Sequence, residues 1–353
     1  MKLLPISSPR IKLVLLSLMH FATDGLCAYT VFSKLYPNNP SLSLLIFLSY
    51  NILAFVTQSP IGILVDKYNK PKLMLAISVL SVILGYAFSF VPLLAVFFIG
   101  MGNSLFHVAG GKYVTDKSGN DISHLGIFVS TGAVGLVLGQ RYFTLQPLIY
   151  IFFGLLVGCA ILMTATEDAD DKPYPEEYES EENESKIALL AVIAVVFARS
   201  FVGKVVSADF ILKEYLFLII ALATALGKAL GGICSRLIGI KYTTIASMII
   251  AAVCLTVGCG NPISFIIGIF TFNFSMPITL YYANILLKGK EGFAFGTLAA
   301  FLAPGYFLAM SFSYSPLIRV ITALLCLLSV AVIILISRRI KNDADCTDTY
   351  DTP

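Results

Sequence analysis

The chain has 353 residues, of which 58% are hydrophobic and 13% charged, with a formal net charge of +3. Soluble domains carry about 25% charged residues, and a single soluble core stops growing near about 250–300 residues. A soluble globular protein is therefore excluded, and the surplus apolar surface must face lipid.

A bilayer core about 30 Å thick takes about 20 apolar residues per helical span. Apolar runs and their breaks predict twelve spans, at 12–33, 42–65, 72–90, 92–111, 122–140, 145–164, 187–207, 213–236, 242–259, 262–286, 292–311 and 315–337. Lipid cannot satisfy backbone polar groups, so these runs are expected to be helices. Their continuous apolar character excludes the alternating pattern of a membrane barrel. The N-terminal stretch begins basic, like a signal peptide. It shows no small-residue cleavage site and runs on past His20 and Asp24, so it reads as a retained first helix.

In the first span, His20 and Asp24 are four residues apart and share a helix face. A charge at mid-membrane costs about 2.5–3.5 kcal/mol on insertion scales. Asp24 is thus expected to face the interior and to pair with a cation or hold a proton, as a proton-coupling carboxylate or as a structural polar pair. The second and third spans are joined by Gly62-Ile-Leu-Val-Asp66-Lys67-Tyr-Asn-Lys70-Pro-Lys72. Here Gly62 permits close helix contact, and Asp66 is expected to cap a neighbouring helix or pair with a base on a partner bundle. Asn69 tolerates left-handed backbone. The fourth span carries Asn103 and His107, the latter titrating near physiological pH.

Between the sixth and seventh spans, residues 167–184 hold ten of the 21 acids, together with Pro173 and Pro175. This stretch reads as a solvated cytoplasmic linker. The seventh span carries Arg199, which either snorkels or lines a cavity and pairs with Asp24 or an anionic solute. The eighth carries Lys228, too deep for easy snorkelling. Pro277 and Pro304 predict kinks in the tenth and eleventh spans. The seven cysteines are scattered without metal spacing and read as buried small hydrophobes.

With the N-terminus inside, 17 lysines and arginines fall on the inner side and 4 on the outer, three more lying within spans. That asymmetry predicts both termini to be cytoplasmic. A shift of 170 residues superposes Gly62 on Gly232, Asn103 on Asn273, Gly126 on Gly296, Gly135 on Gly305 and Asp121 on Glu291. It also sets Lys228 opposite Gln58, and Arg236 opposite Asp66. Six spans separate the copies, so both halves point the same way, as in transporters whose two bundles rock around a central site. The fold expected is an all-α membrane protein of twelve transmembrane helices in two parallel-repeat six-helix bundles. They would comprise residues 1–166 and 186–340, with the linker at 167–185 and a cytoplasmic tail at 341–353.

The Gly62 to Lys72 loop resembles the Gly-x-x-x-Asp-basic-x-Gly-x-basic-basic motif of the major facilitator superfamily, with Asn69 in place of its second glycine. The second copy, Gly231-Gly232-Ile-Cys-Ser-Arg236-Leu-Ile-Gly-Ile-Lys241, has Arg236 in place of the aspartate. Gly62, Asp66, Lys67, Gly232 and Arg236 then form a conformational latch. His20-Phe21-Ala-Thr-Asp24, Phe106-His107 and Arg199-Ser200 together resemble the fosmidomycin-resistance-type efflux branch, with Val108 where that branch has proline. The resemblance implies proton-driven export, with His20, Asp24, His107 and Arg199 involved. The residue reading adds Gln58, Asn103, Lys228 and Asn273 to the central site.

The function expected is therefore secondary active transport of a small organic solute across the cell membrane by alternating access, as export with protons as the coupling ion, by a monomer without cofactor or metal and with no nucleic-acid partner. An enzyme is not expected: there is no metal cluster spacing, nucleophile–base pair or nucleotide loop. Neither is a phosphate-cradling pump. The other reading is a transporter-like sensor or scaffold that binds a partner through its acidic linker.

Overall fold

The computed structural model describes residues 8–166, 182–207, 214–258 and 260–347. The acidic stretch from 167 to 181, Lys213, Cys259 and the last six residues of the tail lie outside them. The described residues form helices: α1 (Pro9–Asn38), α2 (Pro40–Tyr68), α3 (Pro71–Ala87), α4 (Pro92–Ser118), α5 (Ile122–Arg141), α6 (Pro147–Ala165), α7 (Ser185–Val206), α8 (Leu216–Ile238), α9 (Ile240–Thr256), α10 (Pro262–Leu286), α11 (Glu291–Ala309) and α12 (Pro316–Ile340). Ten are long and apolar enough to cross a membrane. The other two, α3 and α9, are shorter apolar helices of 17 residues. At 1.5 Å per residue each reaches about 26 Å, just short of the hydrocarbon core.

Local chemistry sets many of the helix boundaries. Proline occupies the first turn of α1, α3, α4, α6 and α10, where its missing N–H costs nothing. Asp121 caps α5 by accepting from the backbone N–H of Ser123 at 2.8 Å, and Asn261 does the same for Ile263 at 2.9 Å. The turn after α2 places Asn69 at φ 46°, the left-handed conformation that a glycine or asparagine takes most readily.

Several helices are broken on purpose. A wider π turn interrupts α1 at Val31–Leu35 and α2 at Ile52–Val56. The α5 helix opens between Phe128 and Gly132, and α11 opens at Phe301, a position 170 residues beyond Thr131. In α10 the break falls at Asn273 and Phe274, and in α11 at Phe301. Both precede a proline, Pro277 and Pro304, that cannot donate back to the preceding turn.

Two apolar cores hold the chain. One gathers Leu16, Leu26, Ile99, Phe106, Phe128 and Phe152 from the first half, and reaches Ile278 and Phe295 in the second. The other packs Phe201, Met248, Phe265, Phe272 and Cys326 within the second half. Within the first half α1 lies on α5 and α6, and α3 on α4. Within the second, α7 lies on α11, and α9 on α10 and α12. The halves meet where α2 runs along α11 and α8 along α5. Leucines such as Leu324, Leu327, Leu328 and Leu335 of α12 are left exposed, an outer surface that suits lipid and not water.

Candidate functional site

His20 and Asp24 project from α1 toward α4, where Asn103 and His107 stand one helical turn apart. Asn103 donates its amide to Asp24 Oδ1 at 2.8 Å. His20 Nε2 lies 3.3 Å from Asp24 Oδ2, and His107 Nε2 lies 3.6 Å from Asp24 Oδ1. The two histidines face each other with their Nε2 atoms 3.0 Å apart. Each points its other ring nitrogen at a backbone carbonyl: His20 Nδ1 is 2.7 Å from the oxygen of Phe128, and His107 Nδ1 is 2.9 Å from that of Asn103. A carbonyl only accepts, so both Nδ1 atoms carry hydrogen.

That assignment fixes the chemistry of the centre. With both Nδ1 atoms protonated, both Nε2 atoms of neutral imidazoles present lone pairs to one another and to a carboxylate. Three acceptors so close repel unless a cation sits among them. A proton shared between the rings, or a metal ion held by the same donors, answers the need. The trio is mostly buried, with 16% of the Asp24 side chain and 15% of His107 exposed against 5% of His20.

The second half of the chain contributes two half-buried cations, Arg199 and Lys228. Arg199 of α7 donates to Thr279 Oγ1 of α10 at 3.2 Å. Of the alternatives weighed for Arg199, pairing with Asp24 is not the contact formed; the partners of Asp24 are the two histidines and Asn103. Lys228 of α8 is half-buried, and among the described residues its ammonium meets no carboxylate within ion-pair distance. Its backbone carbonyl abuts Gly126, two residues before the Phe128 whose carbonyl holds His20. Gln58 and Asn273 are not brought to this centre. Gln58 is 1% exposed and donates to the Ala54 carbonyl within α2. Asn273 donates to Ile269 at the α10 break, beside Gly227.

Two polar contacts join the halves of the chain, at Asp66 and at Arg236. Asp66, at the end of α2, accepts from the backbone N–H groups of Gly292 and Phe293 at 2.9 and 2.8 Å, so it caps α11 across the interface. Arg236, at the end of α8, donates to Asp121 at 2.8 Å, at the start of α5. The offset of 170 residues relates these contacts, since it takes Asp66 to Arg236 and Asp121 to Glu291. It also relates the glycines beneath them. A Cβ on Gly62 would meet the Gly292 carbonyl, and one on Gly296 the Gln58 carbonyl; a Cβ on Gly232 would meet Ile122, and one on Gly126 Lys228. Lys67 is exposed.

Sequence reasoning missed four parts of these sites. Lys112 of α4, almost fully buried, sits 3.1 Å from Glu291, 3.3 Å from Asp116 and 3.4 Å from Asp66. Glu291 is itself 3% exposed and accepts from the Gly289 N–H at 2.6 Å. Asp121 was visible only as a repeat position. Gly132 was not singled out, yet a Cβ there would collide with both Asp24 Oδ2 and His20 Nε2. The signal available for Gly132 was the Thr-Gly dipeptide in the middle of an otherwise apolar span.

The two locks differ in strength. The Arg236 side chain is 60% exposed, and an exposed ion pair contributes about 0–1 kcal/mol, whereas Asp66 is mostly buried. The Asp121 carboxyl would be raised by burial, but the His124 ring 3.1 Å away and hydrogen bonds from Ser123 hold it below the usual carboxylate range. A lowered folded-state pKa stabilises above the unfolded value and is lost as pH falls through the folded one. The stability difference between the wild type and Asp121→Asn should therefore be constant well above about pH 4 and begin to shrink as pH falls below it. Thermal unfolding in detergent across pH 3–7 measures it; a difference that grew on acidification would refute the assignment.

No sequence-family model matches the chain, and no curated protein matches it by sequence. Solved structures do. A major facilitator superfamily transporter, FucP, in its outward conformation aligns with TM-score 0.66 and 13% identity over 92% of this chain and 98% of that one. A variant of the E. coli fucose:proton symporter aligns with TM-score 0.63 and 14% identity over 94% and 99%. A bacterial homologue of the iron transporter ferroportin, in an outward-facing state, aligns with TM-score 0.57 and 11% identity over 96% and 100%. The chain thus has the fold of these transporters. The narrower likeness to the fosmidomycin-resistance branch rests on the sequence motifs alone.

Proposed function

We propose that the chain is a secondary active transporter that moves a small organic solute by alternating access. In this reading all twelve helices cross the cell membrane, as two parallel six-helix bundles over 1–166 and 186–340. The 17-to-4 distribution of basic residues places both termini, the acidic linker and the tail from 341 in the cytoplasm. The locked end, with Asp66 and Arg236, is then cytoplasmic, and the centre at Asp24 opens outward. The observation that carries the proposal is the pair of offset-related locks at one end of two bundles, with ionisable side chains from both halves deeper between them. A structural membrane protein has no need of two releasable contacts of this kind.

The coupling ion we assign is the proton, and the direction export. One proton shared between His20 and His107, balanced by Asp24, satisfies the three converging acceptors. Release of the locks would expose the same centre to the other side. Arg199 and Lys228 give the opposite wall a positive charge, which suits an anionic or strongly polar solute. The chemistry is binding and translocation, not bond making, and the protein acts as a monomer.

A thermal-shift screen of the purified protein against metabolites and antibiotics identifies the solute, because a bound ligand stabilises by mass action. With that solute in hand, Asp24→Asn should abolish transport driven by a pH gradient in proteoliposomes while leaving solute exchange without a gradient measurable. Gradient-driven transport at the wild-type rate in this variant would remove Asp24 from the coupling site.

A further inference from the structure

The donors at the centre are the donors of a transition-metal site, and their spacing is that of ligands around one ion. Metal–imidazole and metal–carboxylate bonds are about 2.0–2.2 Å long, so two nitrogens on one ion lie about 2.9 Å apart at a right angle and about 3.3 Å apart at the tetrahedral angle. The Nε2 atoms of His20 and His107 are 3.0 Å apart, and Asp24 Oδ2, the carboxylate oxygen not engaged by Asn103, stands 3.3 Å from His20 Nε2. All three ligand atoms fall within 4.8 Å of one another.

The surroundings complete the case. Metal-binding histidines donate their other ring nitrogen to a carbonyl or carboxylate, which fixes the tautomer and orients the ring. Here the Phe128 and Asn103 carbonyls do this for both rings. Asn103 also donates to Asp24, leaving the other carboxylate oxygen for an ion. Gly132 leaves room, since a Cβ there would collide with both Asp24 and His20. The hard cations calcium and magnesium prefer all-oxygen shells, whereas two imidazoles favour zinc, cobalt, nickel, copper or ferrous iron.

We infer that His20, Asp24 and His107 form a binding site for a divalent first-row transition cation, with open coordination positions. The ion takes the place of the shared proton. One proton leaves as it binds, and both imidazoles remain neutral. Arg199 and Lys228 on the facing bundle favour an ion that brings an anionic oxygen ligand to its open positions. The site is a statement about binding and holds whether or not the ion is carried across the membrane.

The test uses the full chain, purified without a polyhistidine tag, stripped with a chelator and titrated with Co(II), Zn(II) and Cu(II). One ion per chain is expected. The Co(II) spectrum should show nitrogen and oxygen coordination without thiolate charge transfer. Pulsed electron paramagnetic resonance of the Cu(II) form should show two imidazoles. His107→Gln should weaken binding by at least tenfold and reduce the count to one imidazole. The inference is overturned if the wild type binds none of these ions, if its spectra show thiolate or a single imidazole, or if a folded His107→Gln binds as tightly as the wild type. Should that variant not fold, the imidazole count of the wild type decides. Failure here leaves proton coupling standing, because that is read from gradient-driven transport by Asp24→Asn.

Discussion

Replacing Asp66 by alanine is expected to open the locked end of the molecule. The Asp66 carboxylate accepts from two backbone N–H groups at the start of α11, at 2.9 and 2.8 Å, and lies 3.4 Å from Lys112. Hydrogen bonds to a charged group contribute about 1.5–3 kcal/mol each, and the positive end of the α11 dipole adds to them. Loss of both should cost the closed state about 3 kcal/mol or more, roughly a hundredfold in the ratio of closed to open forms. Spin labels on the exposed positions Tyr68 and Leu237, in a background with the native cysteines replaced, would read the separation of α2 and α8. A broad or longer distance is expected for Asp66→Ala, an intermediate one for Asp66→Asn, and little change for Arg236→Ala. An unchanged distance in Asp66→Ala would show that the glycine contacts alone hold the end shut.

Gly132→Val is expected to destroy the centre while leaving the locked end intact. Its Cβ would collide with both Asp24 Oδ2 and His20 Nε2, so the α5 break, α1 or both side chains must shift. Overpacking of this kind costs about 1–3 kcal/mol in stability. The functional loss should be larger, because the three acceptors would no longer converge. Gly154→Ala is the control: no atom lies within 4 Å of a Cβ placed there, and its effect should stay within about 0.5 kcal/mol. Thermal unfolding measures the first difference, and solute- or ion-induced stabilisation the second. Retention of that stabilisation by Gly132→Val would separate Gly132 from the site.

The contrast between these positions shows why the centre was only partly legible. His20 and Asp24 are four residues apart, and helical periodicity alone puts them on one face. Nothing within α1 says that this face meets His107, 87 residues later, or that Phe128 presents a free carbonyl. The α5 break that frees it depends on a Thr-Gly pair whose meaning lies in what packs against it. Arg199 illustrates the converse. A lone cation and a lone carboxylate in an apolar chain suggest a pair, but α7 sets Arg199 on Thr279 while α4 satisfies Asp24.

By itself the sequence determined the lipid-facing helices, their proline starts, the left-handed turn at Asn69 and the 170-residue correspondence of the halves. Each follows from apolar length, backbone stereochemistry or spacing along one chain. Tertiary structure decided which ends of which helices meet, that Asp66 caps α11 and that Lys112 lies among three carboxylates. It also decided that three proton acceptors from α1 and α4 converge beside Gly132. Most of these contacts join residues far apart along the chain, such as Asp66 with Gly292 and Lys112 with Glu291. Their energy depends on distances of a few tenths of an ångström, which helix packing sets and local composition does not.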